Sequence, residues 1–212
     1  MTIAFNQLFK ADVPYYPLYV LSGLVMWNFF SQATTAAMVN LVWGGGLMSR
    51  IYFPRTSFAV SAMITGMVNL LLSFVPLLLI FVFLGAPLRW PILLFPLPLL
   101  IAAAFALGFG LLLSTLAVYF PDVAEMYQIA LTAWMYITPI IYPEKILPEQ
   151  YRWLVTRLNP MYHIVRLFRA IVYEGRVPLW VEVWPALLLS IVILVVGWWV
   201  FAKKSDQFAY RV

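Results

Sequence analysis

Five long stretches of this chain carry no charge. No Asp, Glu, Lys or Arg occurs in 13–49, 56–88, 90–121, 126–143 or 183–202, runs of 37, 33, 32, 18 and 20 residues. A helix needs about 20 apolar residues to cross roughly 30 Å of hydrocarbon. A charge at its centre costs roughly 2.5–3.5 kcal/mol. Each run therefore holds one membrane span, bounded by the charges a span excludes. Charged residues make up only 10% of the 212 residues, against about 25% in ordinary soluble domains. So little polar surface excludes a soluble protein with a large core. The expected fold class is an all-α integral membrane protein with five transmembrane helices, in one domain over 1–212.

The spans are expected at 17–39, 57–84, 96–119, 123–142 and 183–202. The first opens on the aromatic cluster "PYYPLY" and continues into "SQATTAAMVN". Aromatic rings suit the headgroup region. Ser31, Gln32, Thr34, Thr35 and Asn40 are too polar for a lipid face and point to other helices or a pathway. Pro76 is a kink site in the second span. The third contains "AAAFALGFG", small residues for close packing, but Gly108 and Gly110 lack GxxxG spacing and give no dimer motif. Asp122 is placed to cap the fourth span, with Glu125 three residues later as in a capping box.

The segment 143–182 has a different pattern. In "LNPMYHIVRLFRAIVYEG", Asn159 is an N-cap residue and Pro160 suits the first helical position. Ile164, Leu167, Phe168 and Ile171 form one apolar face, and Arg166, Arg169 and Arg176 fall off it. A shorter amphipathic piece precedes it, around Glu149–Leu158. Both are expected as interfacial or re-entrant helices before the last span. The pattern alone does not separate a moving element from a cap that covers the bundle.

Catalytic chemistry finds little support. The chain has no cysteine and one histidine, His163, so no familiar metal cluster can form. His163 has no partner that sequence can place, which makes it structural or interfacial before it is a base. A membrane enzyme acting on lipid-linked sugar would have only His163 and Glu174 to work with. "GGGLMSR" lacks the lysine and the helix start of a phosphate loop. No span holds a central carboxylate, which disfavours ion-driven transport. The start "MTIAFNQLFKADVP" has no basic n-region or cleavage site, so no signal peptide is expected. A pI near 9.5 fits anionic headgroups, and no nucleic-acid module is recognisable.

Four motifs in order, "GLMSRIYFPR", "VYFPDVAEMYQ", "TPIIYPEKILP" and "NPMYHIVRLFR", resemble the permease subunit of type-2 ABC exporters, in the branch that exports lipid-linked O-antigen, capsule or teichoic acid precursors. The likeness covers essentially the whole chain. It implies six spans, of which five are present here, and "TIAFNQLFK" looks like the tail of a first one. It implies a homodimer in the bacterial cytoplasmic (inner) membrane, two ABC ATP-binding subunits, a lipid-linked glycan as cargo, and no enzymatic activity or cofactor in this chain, with ATP and Mg bound by the partner. The loop 44–55 becomes the coupling element, with Arg50, Ile51, Tyr52, Phe53, Pro54 and Arg55 as contacts. Asp122 and Glu125 form a lesser one, where Pro121 replaces a basic residue of many relatives. Asn159, Pro160, His163, Arg166 and Arg169 fall in an outer gate, segment 143–182. Aromatic faces suit sugar C–H groups, so Tyr127 and Trp134, seven apart, and Trp27 and Phe30 are expected along the substrate path. A drug, lipid or small hydrophobic molecule is the alternative cargo.

The charges oppose this orientation. With 44–55 cytoplasmic, the inside holds five basic residues, Arg50, Arg55, Lys203, Lys204 and Arg211. The outside holds eight: Lys10, Arg89, Lys145, Arg152, Arg157, Arg166, Arg169 and Arg176. The positive-inside rule prefers the reverse. The resemblance places 44–55 inside.

Overall fold

A computed structural model describes residues 13–43, 56–87 and 89–205. Seven α-helices occur among them, and no strand. They are α1 (Tyr16–Trp43), α2 (Thr56–Phe83), α3 (Pro96–Tyr119), α4 (Val123–Ile137), α5 (Glu149–Leu158), α6 (Pro160–Val172) and α7 (Trp180–Lys204). Short 3-10 turns at Trp90–Leu94 and Glu144–Ile146 precede α3 and α5.

Among the described residues three helical stretches are long and apolar enough to cross a membrane: Thr56–Phe83, Trp90–Tyr119 and Trp180–Lys204. Their outward faces carry the greasy residues that lipid requires, such as Ile64, Val68, Leu72 and Val82 on α2 and Val181, Leu188, Val195 and Trp199 on α7. α1 is as long as α2, but its polar residues keep it out of that group.

α4 differs from expectation. The helix stops at Ile137, five residues short of the expected end at Tyr142, and its 15 residues rise only about 22 Å. Thr138 is extended, as the residue before a proline prefers. Nor does Asp122 cap α4: it sits at the N-cap position in helical conformation with no side-chain hydrogen bond to the helix.

α3 lies at the centre, packed against α1, α2, α4, α6 and α7. Its small residues make this possible. Gly108 meets the backbone of Ile193 and Leu194 on α7, where a Cβ would come within 2.4 Å. Two residues on, Gly110 turns to α1 and Ala37. The two glycines therefore serve separate helix contacts on opposite sides of α3.

The packing sorts the connections into two ends. At one end Lys204 of α7 approaches the Tyr119 ring, and Trp43 and Thr56 flank the segment 44–55. At the other, Tyr16 and Tyr19 of α1 donate to the carbonyls of Ile141 and Tyr142, and Phe74 packs on Phe95 and Phe168. The segment 143–182 thus lies at the end opposite the last turn of α1 and the first turn of α2.

Candidate functional site

The second end is built around Asn159. Its Oδ1 accepts from the backbone N–H groups of Met161 and Tyr162, at 3.1 and 3.3 Å, and so caps α6. Pro160 follows at the first helical position, as the sequence predicts. The same Oδ1 accepts from Trp134 Nε1 at 2.9 Å, and Nδ2 donates to Thr138 Oγ1 at 2.8 Å. One buried amide thus starts α6 and fastens it to the last turn of α4.

α6 is not a helix lying on a surface. From Ile164 to Val172 every residue except Arg166 is buried, against α1, α3 and α7. Arg169, expected off the apolar face, is 5% exposed. Its Nη1 donates to Pro139 O at 2.7 Å, and its Nη2 to Ile140 O at 2.6 Å and Tyr19 O at 3.2 Å. The guanidinium lies 3.6 Å from the Tyr19 ring centroid. Gly23 makes the room, since a Cβ there would sit 2.6 Å from Nη2. Burial pulls Arg169 below its ordinary value, with the nearby tyrosines and glutamates opposing it. The carbonyls take up the charge that apolar neighbours could not. α5, by contrast, buries only Val155 and fits the interfacial reading.

The outward side of α6 is ionic. Arg166 meets Glu144 at 3.5 Å and Glu182 at 3.3 Å, and donates to Tyr162 Oη at 2.7 Å. Arg176 forks onto Glu182 at 2.7 and 2.6 Å and also meets Glu174. Burial pushes the Tyr162 hydroxyl up to about 12. Burial lowers His163 below its ordinary value, leaving a neutral ring that packs edge-on to Tyr162. Glu174 is engaged by Arg176, and among the described residues no hydrogen bond joins it to His163. Three basic residues behind the charge conflict are therefore engaged within the protein: Arg166 and Arg176 by carboxylates, Arg169 by carbonyls.

Glu182 is the hub of this network, and Glu182→Gln should lower the thermal midpoint modestly. Its partners are open to water, so the loss is about 1 kcal/mol. Salt screens what exposed charges contribute. The difference from wild type, measured by melting in detergent, should therefore shrink between 0.1 and roughly 1 M salt; an undiminished difference would show the pairs to be shielded.

Trp27, Phe30, Tyr127 and Trp134 do come together, with Phe105 and Phe109. Trp134 stands 6.0 Å from Trp27, 5.3 Å from Phe30 and 5.7 Å from Phe109 between centroids. Tyr127 reaches Phe109 at 6.2 Å and shares a 2.7 Å hydrogen bond with Thr34. The cluster is interior: Trp27, Phe30 and Tyr127 are buried, and Trp134 is partly so. These rings face one another inside the protein.

The open side of the same two helices is polar. Asn28, Ser31, Gln32 and Thr35 recur at helical spacing on α1, wholly or partly exposed, and Asn40 is exposed beyond them. Gln128 and Thr132 of α4 stand beside them, and Gln128 Nε2 donates to Thr35 Oγ1 at 3.3 Å. The spacing was readable in the sequence, but which side of α1 it occupied was not. Asp122 and Glu125 are exposed at the far end. Arg50, Ile51, Tyr52, Phe53, Pro54 and Arg55 lie outside the described residues. Glu144, Glu182, Tyr19, Gly23 and Thr138 were not singled out by sequence. The two glutamates each border a charge-free run, the one signal that could have marked them.

The family model described as "ABC-2 type transporter" matches residues 1–173. Over 99% of its length the chain is 28% identical to the O-antigen export system permease protein RfbA of Myxococcus xanthus, covering 81% of that protein. It is 23% identical to the RfbA of Klebsiella pneumoniae over 97% of this chain and 79% of that one. Polysialic acid transport protein KpsM of Escherichia coli is 21% identical, over 90% of this chain and 74% of that one.

Proposed function

The chain belongs to the ABC-2 type transporter family, and from that premise we propose that it is the membrane-spanning subunit of an ATP-driven exporter of lipid-linked polysaccharide. The relatives' names support the cargo, and no feature of the described residues favours a drug or a small lipid in its place. The observation that carries a transport role is the polar stripe on α1 and α4. Amide and hydroxyl side chains facing hydrocarbon are costly, so such a face belongs against protein or a hydrated path. Two copies apposed through these faces would enclose a passage with flat, hydroxyl-compatible walls. The buried aromatic rings then stiffen those walls from behind, and Trp134, the least buried of them, is best placed to reach sugar.

In this reading α1, α2, α3, α4 with the chain up to Tyr142, and α7 are the five spans. The end bearing 44–55 faces the cytoplasm, and 143–182 closes the outer side of the cytoplasmic membrane. Two ATP-binding subunits hydrolyse ATP with Mg and press on 44–55 and on the turn at Asp122 and Glu125. Engagement of Arg166, Arg169 and Arg176 inside the outer segment supports this orientation, since such residues count for less in the positive-inside balance.

Changing Arg50 and Arg55 together to Glu should abolish co-purification of the ATP-binding subunit, or leave it bound with ATPase activity that no longer responds to the permease. Cells with this variant should accumulate the glycan internally. Intact binding, coupling and surface glycan would overturn the docking assignment.

A further inference from the structure

We propose that Arg169 is a positioning residue that fastens α6 to the broken end of α4 and the start of α1, so that the outer segment moves with the two helices bearing the polar stripe. Its functional half rests on the exporter reading above; its structural half does not.

A guanidinium almost wholly removed from water is an expensive way to fill space, and on an otherwise apolar helix face a leucine or methionine would pack as well. What the charge supplies is donors. α4 ends at Ile137, and the chain runs irregularly through Pro139 and Ile140, whose carbonyls have no ladder to join. In a low-dielectric setting bare carbonyls are costly. Arg169 answers both, at 2.7 and 2.6 Å, and adds Tyr19 O at 3.2 Å. No other side chain presents so many donors in one rigid plane. The same plane lies on the Tyr19 ring, and Gly23 leaves the space for it. Three elements distant in sequence are thus held by one group.

Asn159 holds the start of α6 from within, but the ionic attachments of the helix are of a different kind. Arg166, toward Glu144 and Glu182, is exposed. Water can replace those pairs at little cost. It cannot reach the Arg169 cradle without parting the helices. When the outer end rearranges, the ionic side of α6 gives way first and the cradle holds.

The chain has no cysteine, so introduced thiols are unique reporters. Val165 is buried in the crease between α6 and the 138–144 segment, lined by Thr138, Pro139, Glu144 and Arg169. In Val165→Cys, labelling by a small water-soluble thiol reagent should be slow. Arg169→Met should speed it at least tenfold, and Arg169→Lys, which keeps one donor group, less. Gly23→Ala should speed it by displacing the guanidinium while leaving Arg169 in place, and so serves if Arg169→Met folds poorly. A thiol at Ala186, buried on α7, should be unaffected by any of these changes. Unchanged labelling at position 165, or equal acceleration at 165 and 186, would overturn the pin. In the assembled complex with its ATP-binding subunit, Arg169→Met should lower glycan exported per ATP hydrolysed at least tenfold with hydrolysis retained; an unchanged ratio would overturn the coupling. Labelling needs no glycan, so a wild-type complex that exports none would count against the exporter reading alone.

Discussion

Replacing Gly108 by alanine should leave almost no folded protein. The new Cβ would lie 2.4 Å from Leu194 Cα and from Ile193 O, which are backbone atoms with no rotamer to yield. α3 and α7 would have to separate by about 1 Å along their contact, and a gap of that size forfeits a quarter to a half of each pairwise attraction. Overpacking costs about 1–3 kcal/mol where side chains can adjust. Here they cannot, and the cost should exceed about 3 kcal/mol of a total near 5–15. Gly197→Ala should fail in the same way, since its Cβ would meet Gly108 O at 2.1 Å. The double variant should be little worse than either, because one crossing is lost only once. Gly110→Ala is the milder comparison: its nearest neighbour is the Ala37 Cβ at 3.1 Å, which asks α1 to give by only a few tenths of an ångström. Yield and thermal midpoint in detergent decide the matter. A Gly108→Ala protein that melts with wild type would refute the packing argument.

Asn159→Ala should be the most damaging single change at the outer end. It removes the acceptor for two N–H groups of α6 and leaves the Trp134 indole N–H without its partner, while the Thr138 hydroxyl keeps its bond to Trp134 O. Loss of an N-cap costs about 1 kcal/mol. Each buried group left unpaired adds about 1–3 kcal/mol, so the sum is about 2–4 kcal/mol. Asn159→Asp keeps the oxygen that accepts all three N–H bonds and places a negative charge at a helix start, where it is favoured. Thermal midpoints should therefore fall in the order wild type, Asp, Ala. Equal melting of the Asp and Ala variants would mean that the oxygen is not the working atom.

Sequence reading succeeded where the cause was local. Charge-free runs located α1, α2, α3 and α7 within a few residues, because excluding charge is a property of each span alone. The Asn159–Pro160 start of α6 was legible because a cap acts over three residues. The end of α4 was misjudged because 138–142 is as apolar as a span; the restraint that Pro139 places on Thr138 was the available sign. Arg169 lies off the Ile164–Ile171 stripe, as its spacing says, but that side of the helix is buried as well. Its partners are carbonyls, which no residue type advertises, and they lie on two other elements. Gly108 posed the same difficulty: its contact is Gly197, and a pair across two helices has no spacing to read. The aromatic rings of α1 and α4 meet, but helical periodicity shares out faces without saying which of them turns inward.

The face formed by Asn28, Ser31, Gln32 and Thr35 also bears on how the protein is made. A segment so wetted gains little by leaving the translocon for lipid alone, since amides and hydroxyls weigh against partition at mid-depth. α2 and α3, both strongly apolar, emerge next, and both pack closely on α1. α1 should then depend on its successors during biogenesis, which is an expected outcome that truncation tests. Truncation after residue 43 should leave a fragment that the membrane rejects, although α1 packs closely on α2 and α3 in the finished protein.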